Sequence, residues 1–110
     1  MDILTAAKNI EQDYIIDGNG VFYEISTGLY DRGFEGISIF LTEYKGNAFL
    51  SDGADIANGV GDYLEETELN DIARRFGFEL NDWHIQKKYE SNDDIYRFIE
   101  LVMFVQTKAK

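Results

Sequence analysis

Apolar positions recur along this chain with two periods, and the switches between them mark the elements. From Asp2 to about Asp13 the spacing is helical. Ile3, Ala7, Ile10 and Tyr14 share one face, and Asp2 suits the N-cap. Asp17-Gly18-Asn19-Gly20 is a turn signal. From Val21 to Ser26 the period falls to two, with Val21, Tyr23 and Ile25 alternating against Phe22, Glu24 and Ser26, which predicts a strand. Gly28 to Gly36 reads as a connection. Ile37, Ile39 and Leu41 then alternate with Ser38, Phe40 and Thr42, and Lys45-Gly46-Asn47 turns the chain into a short strand from Ala48 to Ser51. Three strands joined in this way predict an antiparallel meander.

The second half is mainly helical. Ser51 or Asp52 is placed to cap a short helix carrying Ile56, Val60 and Leu64, which Gly59 and Gly61 weaken by about 1 kcal/mol each. Leu69, Ile72, Ala73 and Phe76 define a clearer helix that Gly77 stops. Phe78 to Leu80 suggests a short strand, and Trp83, Ile85 and Tyr89 alternate with His84, Gln86 and Lys88 in another. Ser91 with Asp94 three residues on resembles a capping box. It opens a last helix with Ile95, Phe98, Ile99, Val102 and Gln106. Leu101 to Val105 is apolar nearly all round, which predicts a helix central to the core. The expected fold class is α+β: a small antiparallel sheet, a three-stranded meander plus one or two further strands, packed with three to four helices in one domain over residues 1–110.

Composition narrows the chemistry. At 110 residues with 45% hydrophobic content, including 7 Tyr, 8 Phe and 1 Trp, the chain has material for one core. Cys is absent, which excludes disulfides, thiolate metal sites and thiol nucleophiles. A single His excludes a multi-His metal site, and no cofactor is expected. The start, Met1-Asp2-Ile3-Leu4, has neither the basic region nor the apolar run of a secretory signal. Leu101 to Val105 is far shorter than a membrane span. A cytoplasmic protein of a bacterial host cell is the expectation.

Several short segments carry a resemblance. Ile25-Ser26-Thr27-Gly28-Leu29-Tyr30-Asp31-Arg32 is followed by the Ile37 to Leu41 strand and by Leu50-Ser51-Asp52-Gly53. Leu69-Asn70-Asp71-Ile72 and Arg75-Phe76-Gly77-Phe78 come later. In this order they resemble the bacterial and phage family known as domain of unknown function 1828, over roughly residues 21–110. Gly28 stands where members of that family tend to have Pro, and one Asp precedes Gly53 where they have two. The resemblance implies a setting (bacterial cytoplasm, phage or mobile element) and no particular reaction.

The candidate chemistry is sparse. Asp31, Asp52 and Asp55, beside Arg32, would form a hard-cation site for a metal-dependent hydrolase or nuclease if the loops bearing them met. The plainer reading makes Asp52-Gly53 a turn and cap, with Arg32 paired locally. His84 would serve as a general base only with a carboxylate to orient it. The glycines lack the Lys-Ser/Thr of a phosphate loop. Arg74-Arg75 and Lys87-Lys88 sit among acids and read as solvated faces or ion pairs.

Charge is the dominant feature, with 21 acids against 10 bases and a net charge of −11. Asp52, Asp55, Asp62, Glu65, Glu66, Glu68 and Asp71 form one run without a base, and Glu11, Asp13, Asp17, Glu24 and Asp31 form another. Such a chain repels nucleic acid and attracts basic proteins. The expected function is therefore non-enzymatic. An acidic, phage-like inhibitor would present the first run, with Tyr63 or Tyr30 as an aromatic anchor, to a basic nucleic-acid-binding protein or nuclease complex. A CRISPR nuclease or restriction enzyme is the sharpest form of that partner, met by a DNA-mimicking surface. Acidity that serves solubility alone is the plainer alternative. Self-association as a homodimeric regulatory module, through Leu101 to Val105, is a third.

Overall fold

The computed structural model describes residues 1–30, 36–54, 57 and 64–108. In chain order the elements are α1 (Ile3–Ile10), β1 (Ile15–Gly18), β2 (Phe22–Tyr30), β3 (Gly36–Tyr44), β4 (Asn47–Ser51), α2 (Glu66–Arg75), β5 (Glu79–Asn81), β6 (His84–Lys88) and α3 (Asp93–Gln106). The strands form one antiparallel six-stranded sheet in the order β1-β2-β3-β4-β6-β5. The α+β expectation holds, with the meander enlarged to four strands.

Local chemistry sets most boundaries. The Asp2 side chain accepts from Thr5 N–H at 2.8 Å and caps α1, which ends three residues before Asp13. Strand β1 departs from the sequence expectation. Ile15 and Ile16 are two adjacent apolar residues outside the helical stripe of α1 and too few for a period-two pattern, so nothing local separates strand from turn. The supposed connection from Gly28 to Gly36 is also shorter. β2 runs on to Tyr30, past a register shift between Ser26 and Tyr30, and β3 begins at Gly36. The β3–β4 hairpin closes on Lys45 and Gly46, both with positive φ (51° and 80°), the two-residue geometry whose twist matches its strands. Asp82 and Trp83 adopt the same left-handed conformation between β5 and β6 (φ 52° and 59°). A non-glycine residue there costs roughly 1–2 kcal/mol. The Trp83 ring packs against the core, which offsets part of that cost.

The core lies on one side of the sheet. Ile25, Ile39, Leu41, Leu50 and Ile85 project from four strands toward Ile3, Ala6 and Ile10 of α1, Leu69 and Ala73 of α2, and Ile95 and Phe98 of α3. Each fully buried aliphatic or Phe side chain contributes about 1.5–3 kcal/mol. The short helix expected around Ile56 and Val60 lies outside the described residues, although Ala57 and Leu64 are buried. The last helix departs from the all-round apolar reading. Leu101, Val102 and Val105 are buried, Phe104 is half-buried and Met103 is exposed, so α3 is amphipathic and lies on the core without being enclosed by it.

The start of α3 carries half of the expected capping box. Asp94 Oδ2 accepts from Ser91 N–H at 3.2 Å and from Glu90 N–H at 2.8 Å. The neighbouring Asn92 side chain is taken elsewhere. It donates to the Asn9 carbonyl and the Asp13 carboxylate and accepts from the buried Tyr89 hydroxyl, linking α1, β6 and α3.

Phe98 packs at 4.5 Å, centroid to centroid, on Phe78, and both are buried. Phe98→Ala is expected to lower the unfolding free energy by about 3–5 kcal/mol. Urea denaturation should show an earlier midpoint with an unchanged slope.

Candidate interaction surface

The acids of the second run separate into two kinds. Glu65 stands at the N-cap position of α2 without a side-chain capping bond, Glu66 and Glu68 lie in the first turn, and Asp71 follows one turn after Glu68. All four are exposed, while Leu69, Ile72 and Ala73 turn inward to the core. Arg74 and Arg75 occupy the last turn. Acids first and bases last complement the helix dipole, which is a structural reason for this distribution. No ion pair neutralises the four acids among the described residues.

Asp52 leaves the expected patch. It is 1% exposed, and its carboxylate is fully engaged. Oδ1 accepts from Ala54 N–H and Ile85 N–H, each at 2.9 Å, and Oδ2 from Ala57 N–H at 3.0 Å. Its own N–H donates to the Ile85 carbonyl at 3.1 Å. This is the turn-and-cap role in a stronger form: a buried carboxylate must find donors, and here the donors are backbone. The following Gly53 has a steric reason, since a Cβ there would come within 2.8 Å of the Phe40 ring. Asp55, Asp62 and Tyr63 lie outside the described residues, as do Asp31, Arg32 and the Tyr30 side chain.

The described candidates that remain do not converge. No group of three or more metal-ligating side chains forms among the described residues. His84 is half-buried, with Nδ1 2.9 Å from the Asp82 carbonyl and, among the described residues, no carboxylate hydrogen-bonded to its ring. The two lysines of Lys87-Lys88 have different fates. Lys88 is exposed, whereas Lys87 Nζ bonds Glu90 at 3.0 Å, Asp94 at 3.1 Å and the Lys88 carbonyl. Partial burial pulls the Lys87 ammonium toward its neutral form, but those two carboxylates outweigh it and hold its pKa above the ordinary lysine value. The expected dimer stretch from Leu101 to Val105 offers chiefly Met103 to solvent.

The described acids of the two runs stand apart. α2 packs beside β5 at one end of the sheet, whereas Asp17 and Glu24 lie on β1 and β2 at the other. Six strands at their usual spacing put roughly 24 Å between those ends. Among the described residues no helix is long and apolar enough to cross a membrane.

Comparison with family models, curated proteins and solved structures finds no match. The resemblance noted from the sequence therefore rests on its own residues.

Sequence reasoning passed over one surface. The sheet face turned away from the helices carries Phe22, Phe40, Tyr44 and Phe49, paired by ring contacts at 5.2 Å (Phe22 with Phe40) and 6.0 Å (Tyr44 with Phe49). The signal was present in the alternation, which placed Phe22 and Phe40 on the polar side of their strands.

Asp52→Ala leaves three backbone N–H groups without acceptors and is expected to cost on the order of 3 kcal/mol or more. Burial, against the three N–H bonds, holds the Asp52 carboxyl above the usual 3.8. The folded state then takes up the proton more readily than the unfolded chain. The stability linked to this proton is complete below 3.8 and is lost as pH rises through the raised folded value. Asp52→Asn has no such proton. The difference in unfolding free energy between wild type and Asp52→Asn should therefore shift toward the wild type on acidification across that window and stay flat above it.

Proposed function

We propose that this protein is a non-catalytic, acidic binder of a basic protein that itself handles nucleic acid. The observation that carries this reading is the front of α2. Glu65, Glu66, Glu68 and Asp71 are exposed on a helix anchored to the core, with no ion pair among the described residues. The described ion pairs all use one cation, Lys87. With a net charge of −11, most of the carboxylate surplus remains available to an outside partner.

Fixed negative charge on a rigid helix attracts a basic groove and raises the encounter rate, and the effect weakens as salt rises. The same charge disfavours a direct hold on nucleic acid. In its sharpest form the partner is the nucleic-acid channel of a bacterial defence effector, a CRISPR nuclease or restriction enzyme. The acids of α2 then occupy positions that phosphates otherwise take. A bacterial cytoplasmic setting and a phage or mobile-element origin accompany that form, in keeping with the resemblance to domain of unknown function 1828.

A gel-shift competition against a purified CRISPR nuclease and a restriction enzyme tests this. The protein should displace DNA at low salt and do so less well at moderate salt. The combined change Glu65→Lys, Glu66→Lys and Glu68→Lys should weaken displacement by about tenfold or more. No displacement at either salt, or indifference to the charge reversal, overturns the reading.

A further inference from the structure

The sheet face away from the helices combines two properties that the front of α2 does not. It is apolar where a solvated face would be polar. Ile15, Phe22 and Tyr44 are 76%, 48% and 60% exposed. It also sets a carboxylate opposite an aromatic residue on the neighbouring strand. Glu24 pairs across the sheet with Phe40 on one side and with Asp17 on the other, and Phe22 lies two residues along the same strand face. The Phe22 and Phe40 rings stack at 5.2 Å with planes 26° apart.

The Asp17–Glu24 pair sets like charges opposite each other on neighbouring strands, an arrangement unfavourable in isolation. Glu24 accepts a hydrogen bond from the Ser38 hydroxyl at 2.5 Å, and no ion pair reaches either acid among the described residues. Two adjacent carboxylates beside an exposed ring have the chemistry of a guanidinium site. The flat cation lies over the ring while its fork of N–H groups meets the acids.

We infer that this face receives an arginine-bearing segment of the basic partner, with the guanidinium over the Phe22–Phe40 pair and its N–H groups on Glu24 and Asp17. The occupant follows from charge complementarity. A second copy of this chain would bring the same carboxylates and a further −11 against them. A lysine supplies charge without a plane to stack or a fork to bridge two acids. The inference rests on the basic-partner reading but uses the end of the sheet away from α2, so the two fail separately.

The test uses a short Arg-Gly repeat peptide and a Lys-Gly peptide of equal length and charge. The intact protein should bind the arginine peptide about fivefold more tightly. Amide chemical-shift changes should centre on Phe22, Glu24 and Phe40. Glu24→Gln and Phe22→Ser, each confirmed folded by circular dichroism, should each abolish the preference. The Glu65, Glu66 and Glu68 reversal should leave it intact. Equal binding of the two peptides, or shifts confined to α2, overturns the inference. So does a dimer in sedimentation that Phe22→Ser dissociates, which would assign the face to a second copy. If the arginine preference persists while DNA displacement fails, the site stands and the nucleic-acid-handling identity of the partner falls.

Discussion

One carboxylate joins two stretches of backbone 33 residues apart. Strands β4 and β6 are neighbours in the sheet, yet the chain leaves at the end of β4, builds α2 and β5, and only then returns. Entropy resists closing such an excursion, though only slowly with length. The greater difficulty is register, because a slip of one residue would turn every side chain of β6 to the wrong face. Asp52 meets it by continuing the ladder past Ser51, giving its N–H to the Ile85 carbonyl and receiving the Ile85 N–H on its side chain. The same carboxylate gathers Ala54 and Ala57 N–H groups, so the route out of β4 and the route back into β6 are set at one point.

Carboxylates enter the interior only where hydrogen-bond donors meet them. Asp52 and Asp94 are the buried acids among the described residues, and each spends its oxygens on backbone donors, Asp94 adding Lys87. Among the exposed acids, one group stands on α2 and another on β1 and β2, at opposite ends of the sheet. The molecule therefore has two negative regions of different character. The front of α2 is charge on a solvated helix, suited to long-range attraction. The outer face of β1 to β3 is charge set among aromatics, suited to short-range selection.

The sequence revealed elements where periodicity and punctuation agreed. Leu69, Ile72 and Ala73 with Gly77 marked α2, and Lys45-Gly46 marked the β3–β4 hairpin. It failed where they conflicted. Ile15 and Ile16 carry no alternation of their own and pair as a strand because β2 is there to receive them, which is tertiary information. Leu101 to Val105 looked uniformly apolar, but burial of a helix depends on what surrounds it, and α3 is covered on one face only. The candidate site was half legible. Glu65, Glu66, Glu68 and Asp71 are exposed as the pattern suggested. Asp52 carries the same carboxylate and the opposite role, because its partners are backbone groups that no spacing rule displays.

Among the described residues the sheet ends in two edge strands, and both are short and carry an acid. β1 has four residues with Asp17, and β5 has three with Glu79. Copies of the chain approaching rim to rim bring these carboxylates together before any backbone ladder can form. Acidity at the rims thus guards against polymerisation into extended fibrils. This protection is electrostatic, so concentrated salt or acid removes it while the core stays intact.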